Sequence, residues 1–159
     1  MVRRIALAQS IRQELTELER TVSTITHHWQ RAQVEMSDQD AFLNSVALNL
    51  HSFYGGLERS MELIAIEMDG GALGDEAWHS ELLRQMALAL PGTRPAVLSD
   101  RTKQQLDEYR KFRHRIRIIY ATQLDSFKMK PLLETLSDTW QQVKTELLAF
   151  AVFLEDLEK

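Results

Sequence analysis

Three stretches of this chain place apolar residues at alternating intervals of three and four, and that spacing limits the fold more than any other feature. In the first, Ile11, Leu15, Leu18, Val22, Ile25 and Trp29 form a seam along one side of a helix, which predicts a long bundle helix of about 25 residues. In the second, Leu43, Ala47, Leu50, Tyr54, Leu57, Met61, Ile64 and Met68 repeat the spacing. Phe42, Val46, Phe53, Leu63 and Ile66 add another apolar face there, as expected of a central helix packed on more than one side. The third seam runs through Leu133, Leu136, Trp140, Val143, Leu147, Phe150, Leu154 and Leu157. Strand-like alternation, a Gly-rich phosphate loop and internal repeats are all absent from the sequence. The expected fold is all-α, an antiparallel bundle of about five helices.

Punctuation sets the expected boundaries. Ser37 followed by Asp40 resembles a capping box that opens the second helix, and Gly70 with Gly71 closes it. Gly55 and Gly56 interrupt that helix at a cost of about 1 kcal/mol each relative to alanine. Close approach of a neighbouring helix is the favoured reason, and a contact with a ligand or partner is the alternative. A short third helix is expected from near Asp75, carrying Trp78, Leu82, Leu83 and Met86 inward, followed by an exposed connection through Pro91, Gly92 and Pro95. Ser99 or Asp100 can cap a fourth helix that runs to about Ala121. Pro131 suits the first turn of a last helix, with a small extra turn near residue 127.

At 159 residues, a single domain over 1–159 can bury a sufficient core without a metal or disulfide. Cysteine is absent, which removes thiol chemistry and cysteine-ligated zinc and fits a reducing, cytoplasmic setting. The opening residues turn charged too early for a signal peptide, and no apolar run approaches the roughly 20 residues of a membrane span. Glu76 and His79 form one Glu-x-x-His pair, whereas a carboxylate-bridged di-metal site needs two such pairs and further glutamates. His27, His28, His51 and His79 fall on separate turns, so neither a metal nor a cofactor is expected. A serine-based triad has no support.

The formal charge is −4, yet residues 101–117 hold seven Lys or Arg against Asp107 and Glu108. That local stripe on an acidic body suggests selective anion recognition rather than general coating of nucleic acid. It centres on residues 109–120, YRKFRHRIRIIY. At about 100° per residue, Arg110, Arg113, His114, Arg117 and Tyr120 share an arc of roughly 120°, and Tyr109, Phe112, Ile116 and Ile119 occupy the other side. These residue types match metal-independent RNA cleavage. His114 could exchange a proton, Arg113 and Arg117 could grip phosphate oxygens, and Tyr120 could donate a hydrogen bond or stack on a base. The same residues would also suit binding of a nucleotide or phosphate without cutting, and a solvated helix face is the plainest alternative.

The run YRKFRHRIRIIY, with HSFYGGLERSMELIAIEMDG and WHSELLRQMALALPGTRPAVLSD before it and FKMKPLLETLSDTWQQVKTELLAFAVFLEDL after it, resembles HepT-like proteins of the HEPN superfamily from about residue 45 onward. The resemblance implies a small helical bundle that dimerises and, in active members, acts as a metal-independent ribonuclease toxin paired with a minimal nucleotidyltransferase antitoxin. The family signature is arginine, four to six residues, histidine, then often one residue and tyrosine. Aligned on the tyrosine, it assigns Arg113 and Tyr120, and its histidine position is Ile118. Isoleucine cannot move a proton. Either His114, about 40° around the helix from Ile118, supplies the imidazole in a groove shared by two copies and open to RNA such as tRNA, or catalysis is lost and the bundle binds a nucleotidyltransferase or its substrate. The resemblance also makes Tyr120 the expected acceptor of AMP from the antitoxin, while the basic face itself offers Arg110, Arg113 and Arg117 as nucleic-acid contacts.

Overall fold

Helices form wherever the three-and-four spacing is sustained. The computed structural model describes residues 2–71, 78–118 and 126–159. Among them are five α-helices: α1 (Val2–Val34), α2 (Gln39–Met68), α3 (Trp78–Met86), α4 (Asp100–Ile118) and α5 (Ser126–Asp156), with a 3₁₀ turn at Met36–Asp38 between the first two. No strand occurs among the described residues, and a lone bridge joins Leu90 to Arg94. None of the described helices is long and apolar enough to cross a membrane.

Side-chain pairs give the directions. His28 meets Ser45, Gln39 reaches the Ala32 carbonyl and Arg59 meets Glu14, so α1 and α2 run antiparallel. Arg12 meets Glu155, and Glu19 meets Lys144 and Trp140, which sets α5 antiparallel to α1. On α4, Arg101 and Gln105 both reach Asp138 and Tyr109 reaches the Leu132 carbonyl, so α4 and α5 are antiparallel as well. One core runs through all five helices. At its centre the Phe53 ring meets Tyr109 and Trp140 nearly edge-on, at centroid distances of 5.6 and 6.1 Å. Tyr109 and Phe112 of α4 are buried there, and this turns Arg110, Arg113 and His114 toward α3.

Several expectations need correction. The first helix spans 33 residues rather than about 25, because its apolar seam continues through Leu7 and Ala8 to meet α5. Ser37 and Asp40 do not form a capping box: Ser37 lies in the 3₁₀ turn, Asp38 holds the N-cap position, and its side chain makes no capping hydrogen bond. Leu63 and Ile66 are 39% and 48% exposed, so the second apolar face of α2 stops after Phe53. Leu157 is 43% exposed because α5 ends at Asp156. Pro131 is the sixth residue of α5 rather than a first-turn residue, and the expected extra turn near residue 127 is the helix's own beginning. Ser99 is the cap of α4, its Oγ accepting from the Thr102 N–H at 3.2 Å. Asp75 and Ala121 lie outside the described residues.

Gly70 and Gly71, at φ of 90° and 141°, end α2 as expected. The two mid-helix glycines separate. A Cβ on Gly56 would strike the Glu14 carboxylate and stand 2.9 Å from Leu18 Cδ2, whereas one on Gly55 meets nothing closer than Arg59 at 3.8 Å. Helix approach therefore explains Gly56 alone.

The connection after α3 also differs from its expectation. Pro91, Gly92 and Pro95 are exposed, but Arg94 between them is 4% exposed. All five guanidinium N–H groups have acceptors. Two go to Asp69 at 2.6 and 2.7 Å, and the others go to the carbonyls of Leu88, Pro95 and Gln85 at 2.9, 3.0 and 3.2 Å. Gln85 also donates to Asp69 at 2.6 Å. This knot ties the end of α2 to the end of α3, and the N–H groups of Val97 and Leu98 bond the Met86 carbonyl beside it.

Two stability predictions follow from this packing. Gly55→Ala raises unfolding free energy by about 0.4–1 kcal/mol through helix propensity, whereas Gly56→Ala forfeits that gain because the Glu14 and Leu18 side-chain ends must shift, and it is the less stable of the two variants, as urea denaturation reads directly. Arg94→Ala strands a buried carboxylate and costs about 3–5 kcal/mol, visible in the same measurement.

Candidate functional site

The site begins with an acid on an apolar helix. Glu58 follows Leu57 on α2 and is 4% exposed, a position where an isolated carboxylate would be strongly unfavourable. Both of its oxygens are used. Oε1 accepts from Arg113 Nη1 on α4 at 2.7 Å, and Oε2 lies 2.7 Å from His79 Nδ1 on α3. One buried charge thus joins side chains from three helices.

Around it, His79, Arg110, Arg113 and His114 line a pocket. Of the lining groups, Arg113 Nε is buried without a partner among the described residues; so is Tyr54 Oη, one turn before Glu58 on α2 and outside the lining. Burial and the neighbouring Glu58 charge push the Tyr54 phenol far above its ordinary value, against smaller opposing effects of Arg110 and Arg113. The His79 ring stacks against Trp78 with centroids 3.7 Å apart. His114 is exposed at the mouth.

The basic stripe is less bare than its composition suggests. Arg110 Nε donates to Asp107 at 2.6 Å, Lys111 lies near Asp107 and Glu108, Arg101 reaches Asp138, and Arg113 holds Glu58. Burial alone would raise the Asp107 carboxyl, but the Arg110 hydrogen bond and charge, with Lys111, outweigh it and hold the group below its ordinary value. Two arginines in the pocket are thus balanced by two carboxylates.

Of the residues expected at the site, Arg110, Arg113 and His114 come together at this pocket. Arg117 follows Arg113 by one turn of α4, and its side chain, like that of Ile118, falls outside the described ones. Tyr120 lies outside the described residues altogether. Two neighbours escaped the sequence reading. Glu58 carried a signal, a charged residue directly between the core positions Leu57 and Met61. His79 was weighed only as half of a metal pair with Glu76; among the described residues no group of three metal-binding side chains occurs, and Glu76 is not one of them. The partner of His79 is a carboxylate 21 positions earlier, which helical spacing does not reveal.

A family model described as HepT-like protein matches residues 45–154. The matched span contains Glu58, His79, Arg110, Arg113 and His114. No curated protein and no solved structure matches the chain.

The ion pair at the centre of the site can be measured. A double-mutant cycle of Glu58→Gln and Arg113→Gln should return a coupling of about 1.5–3 kcal/mol in unfolding free energy. Arg115→Gln, at an exposed position, should change stability by less than about 0.5 kcal/mol.

Proposed function

The chain belongs to the HepT-like family, and on that premise we propose that it is a HEPN toxin component, one domain over 1–159, that cleaves RNA without a metal. The observation that carries this reading is the pocket on α4, where Arg110, Arg113, His79 and His114 converge. RNA cleavage without a metal needs a base for the ribose 2′-hydroxyl, cations against the charge that develops on phosphorus, and an acid for the leaving oxygen. Imidazoles and guanidiniums supply all three. Glu58 fixes Arg113 through one Nη atom, leaving other donors of the same planar group for a phosphate oxygen.

RNA is longer than one pocket, and in this reading two copies of the chain place their α4 faces along a shared groove. Tyr120 lies close enough in sequence to that face for AMP addition by a nucleotidyltransferase antitoxin to obstruct it with bulk and negative charge. A second reading keeps the bundle and removes the chemistry, leaving a catalytically inactive partner that binds the nucleotidyltransferase or its substrate. Ile118 at the signature histidine position and the pairing of both pocket arginines with acids favour it.

Incubation of the purified protein with total RNA or tRNA in chelator separates the two. Cleavage is expected, with a loss of at least about 100-fold in Arg113→Ala combined with His114→Ala; intact RNA, or cleavage indifferent to that variant, selects the inactive bundle. Light scattering should give a dimer, and a monomer at assay concentration would remove the shared groove. After co-expression with an antitoxin, mass spectrometry should find AMP on Tyr120, and a suppressed toxin with unmodified Tyr120 would contradict that mode of control.

A further inference from the structure

We infer that the imidazole missing at position 118 is supplied by His79 of α3, which serves as the general base of the proposed RNA cleavage, with Glu58 as its positioning residue; the inference rests on the nuclease reading above. An ionised carboxylate can only accept hydrogen bonds. Arg113 Nη1 donates to one Glu58 oxygen, and the other oxygen, as an acceptor, takes the His79 Nδ1 proton across 2.7 Å. That assignment makes Nε2 the basic nitrogen of the neutral ring. A carboxylate that sets the tautomer and orientation of a histidine is the arrangement by which hydrolases hold a base.

His114 has no comparable support. Its ring is exposed and lines the mouth of the pocket, and no carboxylate hydrogen bond fixes it among those described. Position suits it to the opposite task. In the cleavage step Nε2 of His79 takes the 2′-hydroxyl proton, the 2′-oxygen bonds to the adjacent phosphorus, and the bond from phosphorus to the 5′-oxygen breaks. Protonated His114 gives its proton to that oxygen. The products are a 2′,3′-cyclic phosphate and a 5′-hydroxyl, and no electrons are gained or lost. Arg113 and Arg110 face the phosphoryl oxygens.

His79 bonds Glu58 of α2, stacks on Trp78 and shares its pocket with Arg110, Arg113 and His114 of α4. Replacement of the Glu58 carboxylate takes away the acceptor that orients the ring. Glu58→Gln, which stays folded by circular dichroism, is expected to lower kcat with KM within about 3-fold, a split that a role in packing alone would not produce.

The deciding experiment is steady-state cleavage of an RNA oligonucleotide in chelator by the full chain, wild type beside His79→Gln and His79→Gly, with circular dichroism melts to establish folding. His79→Gln is expected to lose at least about 100-fold in kcat with KM within about 3-fold, and added imidazole should restore cleavage to His79→Gly. A wild-type protein that leaves RNA intact overturns the nuclease reading and this inference together. Active wild type with His79→Gln unchanged in kcat, or altered in KM alone, overturns the role of His79 while the nuclease reading stands.

Discussion

A single buried carboxylate organises the candidate site of this bundle. Glu58 sits on the central helix among core residues, and its charge is tolerated because Arg113 and His79 approach from two other helices at 2.7 Å each. Such an arrangement adds little net stability, since desolvation offsets most of the attraction. Its value lies in placement. Three long polar side chains are held in one geometry by mutual need, and the pocket is the space they leave.

Placement depends in turn on parts of the fold far from the pocket. Phe53, Tyr109 and Trp140 lock α4 against α2 and α5, which determines the side from which Arg110 and Arg113 project. Arg94 and Asp69 hold the opposite end of α3 to the end of α2, so the short helix that carries His79 is anchored at both ends, by a buried ion pair at one and by Glu58 at the other. Gly56 lets α1 approach the central helix closely. The family match covers four of these five helices, wholly or largely, and leaves α1 outside it.

Much of this was legible in the sequence. The three apolar seams announced α1, α2 and α5 because periodic burial is a local property, and Gly70 and Ser99 marked real helix ends. The reading failed where distant residues decide. Nothing local separates Gly55 from Gly56, whose difference is made by Glu14 and Leu18 on another helix. Arg94 reads as loop surface until Asp69 is found opposite it. At the site, the helix arc gathered Arg110, Arg113 and His114, all on one element, and missed Glu58 and His79, which reach it only through tertiary contact. The basic stripe was visible, but the acids that balance it are partly on other helices.

Nitrogen-15 NMR of the His79 ring in the intact protein tests the central claim most directly, because the tautomer reports whether Glu58 holds the imidazole. At a pH where the ring is neutral, the predicted result is a proton on Nδ1 with Nε2 unprotonated, lost on Glu58→Gln. A ring protonated on Nε2, or one averaging between tautomers as in a free histidine, would contradict the arrangement on which the site depends.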